Sequence, residues 1–127
     1  MSDQTEKNMQ VLRNLFDTMN KGDIPQTRKV IEEICTEDYL LHDPSTPDLK
    51  PGIKKYLESF DQFWGENSGI HVVAEDMFGE GDKTVTRGYF EYVENKTQEK
   101  KKMVEIFISR FENGKIAEEW QILAPVS

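Results

Sequence analysis

Met9, Leu12, Leu15, Phe16 and Met19 recur at three- and four-residue steps and make one apolar stripe, the pattern of a half-buried helix. Ser2 or Thr5 is suited to cap its start. Asn20-Lys21-Gly22-Asp23 ends it, with Gly22 fitted to the left-handed position beyond a helix. A second, short helix follows Pro25 and carries Val30, Ile31 and Ile34 at helical spacing. Tyr39-Leu40-Leu41-His42 is brief and apolar, a strand or an extended connection. Residues 43–52 contain Pro44, Pro47 and Pro51 and read as a stiff loop. A third helix covers about residues 52–65, with Ile53, Tyr56, Leu57, Phe60, Phe63 and Trp64 on its buried face.

Beyond Gly69 the apolar period falls from 3.6 to 2. Strands are expected over residues 70–78, 83–93, 103–111 and 115–123. Gly79-Glu80-Gly81-Asp82 makes a turn between the first two, and residues 94–102, with Lys96, Lys100, Lys101 and Lys102, make a solvated tip. Asn113-Gly114 is a strong hairpin signal. Helices first and antiparallel strands after them predict an α+β fold of one domain over residues 1–127, with the N-terminal helices packed on one face of a strongly curved, mainly antiparallel sheet.

The hairpin sets a register. A two-residue turn makes Glu112 and Lys115 neighbours, so Phe111 faces Ile116, Ser109 faces Glu118, Phe107 faces Trp120 and Glu105 faces Ile122, all on one side. The other side carries Val104, Ile106, Ile108 and Arg110 against Ala117, Glu119, Gln121 and Leu123. Both sides are substantially apolar. Helices cover only one, so a homodimer is expected to cover the other.

Composition narrows the partners. Among 127 residues, 24 acidic and 16 basic side chains leave a formal charge of −8. That balance repels phosphate backbones and anionic lipid, so neither nucleic acid nor membrane is an expected partner. The N-terminal stretch is polar, without the apolar run of a signal peptide, and one cysteine, Cys35, excludes an internal disulfide; both point to the cytoplasm. No metal-ligand spacing, phosphate loop or nucleophile motif is present, so neither metal nor cofactor is expected.

Two constellations carry candidate chemistry. The aromatic side of the hairpin sets Glu105 and Glu118 among Phe107, Phe111 and Trp120. Arg87 and Tyr89, on the adjacent strand, would join them. These groups make either an ion pair that fixes register or a pocket in which charged groups orient a ligand. Glu105 and Glu118 lie four residues apart along the strands, roughly 13 Å at about 3.3 Å per residue, too far for a glycosidase-like dyad at about 5–9.5 Å. His42-Asp43 is the second constellation: an acid/base at a pocket mouth, or a partly buried histidine beside a turn-forming aspartate.

The series Met19-Asn20-Lys21-Gly22-Asp23, Leu41-His42-Asp43-Pro44, Gly81-Asp82-Lys83-Thr84-Val85-Thr86-Arg87 and Ile108-Ser109-Arg110-Phe111-Glu112-Asn113-Gly114-Lys115-Ile116-Ala117-Glu118-Glu119-Trp120 resembles the SnoaL-like polyketide cyclase (ester cyclase) family of the NTF2-like superfamily. The resemblance covers nearly the whole chain. It implies a cone-shaped fold with a cavity between helices and bent sheet, and it implies dimers. His42, Asp43, Arg87, Glu118 and Trp120 match the recurrent pattern. Family cyclases typically carry an aspartate directly after the strand tryptophan or four residues beyond it; here those positions are Gln121 and Ala124.

Two functions follow. The first is an enzyme that removes a proton beside a carbonyl, in aldol cyclisation or isomerisation of a small apolar compound, without a cofactor. His42 or Asp43 would be its base, Arg87 or Tyr89 would steady the enolate, and Phe16, Trp64, Phe107, Trp120, Glu105 and Glu118 would line the pocket. The second is a non-catalytic ligand-binding or dimerisation module, favoured by Gln121 and Ala124.

Overall fold

The computed structural model describes residues 2–45 and 51–126. Helix α1, Asp3–Asn20, starts where the Ser2 side chain accepts the Thr5 amide and buries Met9 and Leu12. Helix α2, Ile24–Ile34, is capped by Asp23, whose carboxylate accepts the Gln26 amide, and it buries Thr27 and Ile31. Helix α3, Ile53–Glu66, buries Leu57, Phe60 and Trp64. The strands are β1 Cys35–His42, β2 Asn67–Glu80, β3 Lys83–Glu94, β4 Lys100–Glu112 and β5 Lys115–Pro125. Part of the proline-rich loop, residues 46–50, lies outside the described residues. No helix among the described residues is long and apolar enough to cross a membrane.

The five strands form one open mixed sheet in the order β1-β5-β4-β3-β2. Strand β1 runs parallel to β5, and the other neighbours are antiparallel. The core lies between the helices and the inner face: Leu12, Ile31, Tyr39, Leu57, Phe60 and Trp64 pack against Val72, Phe107, Phe111 and Ile116. Strand β2 comes very close to β3 at Gly88. Gly88 sits opposite Glu105, and a Cβ at Gly88 would collide with the Val73 carbonyl.

The hairpin turn forms as expected. Asn113 and Gly114 have φ of 50° and 81°, and Glu112 pairs with Lys115 and Phe111 with Ile116. The expected register ends there. Arg110 pairs with Glu118, so Ala117 is an extra residue in β5, a bulge. One inserted residue exchanges the two faces for everything that follows. Ser109 therefore faces Glu119, Phe107 faces Gln121 and Glu105 faces Leu123, while Ile108 faces Trp120 and Ile106 faces Ile122.

Strand β3 also departs from expectation. Arg87 pairs with Ile106 and Tyr89 with Val104, which puts both on the outer face. The connection between β3 and β4 is shorter than expected, because β4 begins at Lys100. Its apolar pattern alone did not fix which residues oppose one another.

Candidate active site

Helices α1 and α3 and the inner face of the sheet enclose a cavity of about 740 Å³. Its walls are largely aromatic: Phe16 from α1, Tyr56, Phe60, Phe63 and Trp64 from α3, and Phe107 from β4. The rings lock one another. Phe16 meets Phe107 edge-on with centroids 6.1 Å apart, and Phe60 stacks on Trp64 at 5.1 Å. The exposed Lys55, Glu58 and Ser59 on α3 mark where the cavity reaches solvent.

Polar groups enter this apolar space from the strands. Glu119, on β5, accepts hydrogen bonds from the Tyr39 hydroxyl at 2.6 Å and from the Ser109 hydroxyl. Burial pushes its carboxyl up, and these two donors pull it part of the way back. Gln121, also on β5, donates its amide to Asp43 at 2.8 Å. Burial opposes ionisation of Asp43, but hydrogen bonds from Gln121 and Ser45 outweigh it and hold the carboxyl below its ordinary range.

Glu105 is different. It lines the cavity from β4, and none of the described residues hydrogen-bonds its carboxylate. Burial, and then the charge of Glu119, push its carboxyl up to about 7. Tyr56 also lines the cavity, and burial, followed by the charges of Glu119, Cys35 and Glu105, raises its hydroxyl, so it stays protonated.

Of the residues singled out from sequence, the structure brings Asp43, Phe16, Trp64, Glu105 and Phe107 to the cavity. His42, Arg87, Tyr89, Glu118 and Trp120 lie outside it, on the opposite side of the sheet. The β5 bulge moves Glu118 and Trp120 there, and His42 follows because it pairs with Trp120 across the β1–β5 ladder. Arg87 does not meet Glu105 or Glu118. It pairs with Asp76 at 2.6 Å and with Glu75 at 3.6 Å. Tyr89 stands beneath Lys102, whose amine is 4.1 Å from the ring centroid.

Tyr39, Tyr56, Glu119 and Gln121 were missed as site residues. Alternation puts Glu119 and Gln121 on one face of β5, and the bulge at Ala117 decides that this face is the inner one. Among the described residues, no group of three or more His, Cys, Asp or Glu side chains is placed to hold a metal ion.

The family model of the SnoaL-like domain matches residues 12–119. Among solved structures, a candidate SnoaL-like polyketide cyclase from Jannaschia sp. CCS1 superposes with a TM-score of 0.85 at 17% identity, covering 97% of this chain and 89% of that one. IdmH, a candidate polyketide cyclase from Streptomyces antibioticus, gives 0.75 at 19% identity over 91% of each chain. AclR from Streptomyces galilaeus, a candidate hydroxylase, gives 0.80 at 11% identity over 94% of this chain and 90% of that one. At these identities the likeness is one of fold. No curated protein matches the chain.

Proposed function

The chain belongs to the SnoaL-like domain family, and from that premise we propose that it binds a small, mainly apolar carbonyl compound and moves a proton beside the carbonyl. A cavity of about 740 Å³ falls within the range of small-molecule sites, about 300–1,000 Å³. The observation that carries the reading is Glu105: a carboxyl inside an aromatic cavity, raised to about 7. A base works best when its pKa lies near the working pH.

Ionised Glu105 takes a proton from the carbon next to the carbonyl. Tyr56, a protonated phenol, donates to the oxygen on which enolate charge grows. The aromatic walls exclude water and hold the carbon frame. Glu105 then returns the proton to a different carbon in isomerisation. In an aldol closure the enolate attacks a second carbonyl, and the proton goes to the new alkoxide. Asp43 is held ionised and polarises the mouth of the site.

Deuterium exchange at the α-carbon of a panel of cyclic ketones and β-dicarbonyl compounds, followed by NMR, tests this. Exchange should rise with pH through about 7 and fall by about 10²–10⁴-fold in Glu105→Gln. Equal exchange by the variant would sink the assignment.

Gln121 favours a second reading, a binder without turnover. It occupies a position where family cyclases carry aspartate, and its amide is spent on Asp43. Binding of a ketone without any exchange would select this reading.

The protein is further proposed to work as a homodimer through the outer face of the sheet. Ile106 and Ile122 are neighbours there and are 52% and 65% exposed. Val104, Ile108 and Trp120 extend the same apolar face.

A further inference from the structure

The charge and the walls of the cavity select among guests. Its ionisable lining is acidic: Asp43, Glu58, Glu105 and Glu119, against Lys55 as the one cation among the described lining residues. The chain as a whole has the same sign, with a formal charge of −8. No arginine among the described residues reaches the cavity; an anionic guest would meet repulsion and find no guanidinium to bind it.

The inner carboxylates are not equivalent. Glu119 is held by Tyr39 and Ser109, and Asp43 by Gln121 and Ser45. Glu105 receives no hydrogen bond from the described residues and lies close enough to Glu119 to feel its charge. A neutral apolar guest would strip water from Glu105 and give nothing back, a costly arrangement for a carboxylate. A cation would restore both the hydrogen bond and the charge balance. Tyr56 and Phe107 are among the aromatic rings that line the same cavity, and the face of such a ring carries the negative side of its quadrupole, which attracts cations.

We propose that the cavity binds hydrophobic amines in their protonated form, with the ammonium group donating to Glu105 and an apolar ring body lying against the aromatic side chains of α1 and α3. This goes beyond proton transfer and does not depend on it. A bound amine would occupy the carboxylate that a carbonyl guest needs, so amines and carbonyl compounds would compete.

Three probes of one shape make the test: anthracenylmethylamine, anthracenylmethanol and anthracenecarboxylate, titrated by fluorescence at about pH 8, where Glu105 is mostly ionised. The amine should bind at least about tenfold tighter than the alcohol, and the carboxylate weaker than either. Glu105→Gln should remove the preference for the amine, and an unchanged near-UV circular dichroism spectrum shows that the variant is folded. Equal or weaker binding of the amine relative to the alcohol would overturn the proposal. So would an amine preference that survives in Glu105→Gln, or a failure of all three probes to bind. Ketone exchange is scored separately, so loss of the proton-transfer reading leaves this result standing.

Discussion

The imidazole of His42 lies flat on the indole of Trp120, with ring centroids 5.2 Å apart and planes 8° from parallel. Nε2 of His42 is 2.6 Å from Oε2 of Glu118, whose other oxygen accepts from Nε of Arg110 at 3.2 Å. The hydrogen bond to His42, with that from Arg110, holds the Glu118 carboxyl below its ordinary range. This cluster sits on the face of the sheet turned away from the cavity. His42→Ala should therefore leave ketone exchange and guest affinity unchanged. It should cost about 0.5–1.5 kcal/mol of stability, from one partly exposed stack and one solvent-screened hydrogen bond. Denaturant titration measures the cost; a large loss of exchange in a folded variant would return the histidine to the catalytic apparatus.

Glu105 makes stability depend on pH. Its carboxyl is raised in the folded protein to about 7 from an ordinary 4.5. The folded state therefore holds the proton where the unfolded chain has lost it. The favourable contribution is complete below about 4.5 and is lost as pH rises through about 7. Glu105→Gln should flatten this dependence and raise stability at about pH 8 by roughly 1–3 kcal/mol. Urea unfolding of both proteins at about pH 5 and pH 8 reads the difference. An equal slope in the two proteins would mean that Glu105 is not the group responsible.

Tyr39 supports the other inner carboxylate. It is 2% exposed, and its hydroxyl ends 2.6 Å from Oε1 of Glu119. Tyr39→Phe keeps the ring and its edge-on contact with Tyr56, whose centroid lies 5.2 Å away. Only the donor is lost, leaving a buried acceptor short of a partner. The expected cost is about 1–3 kcal/mol, with the Glu119 carboxyl pushed further up. Unfolding measurements paired with Ser109→Ala would show whether the two donors act independently.

The outer face gives an oligomeric test. Ile122→Lys places a charge at the centre of the apolar surface formed with Ile106, Ile108 and Trp120. Sedimentation should give a dimer for the wild-type chain and a single 14.8 kDa species for the variant. A wild-type chain that sediments as 14.8 kDa at micromolar concentration would remove the homodimer.

Much of this architecture is written in local pattern. The stripe Met9-Leu12-Leu15-Phe16-Met19 can bury itself only as a helix, and Asn113-Gly114 takes the two positive φ values that a tight hairpin needs. Helices before strands then leave few ways to build a two-layer fold. Phe16 and Trp64 reached the cavity because helical period fixed their side of the element, and period put Glu105 and Phe107 on one face of β4, the face that packs beneath the helices.

The rest of the site depended on one residue. Ala117 bulges from β5, and nothing in an alanine announces that. Both faces of the hairpin are apolar, so either phase of β5 satisfies the hydrophobic pattern, and only packing against β1 and the helices chooses between them. That choice turned Glu119 and Gln121 inward, carried Trp120 and Glu118 to the outer face, and took His42 with them. Local periodicity decided the elements and the aromatic walls. Tertiary contact decided which carboxylates those walls surround, because strand register is a property of the neighbours and not of the strand.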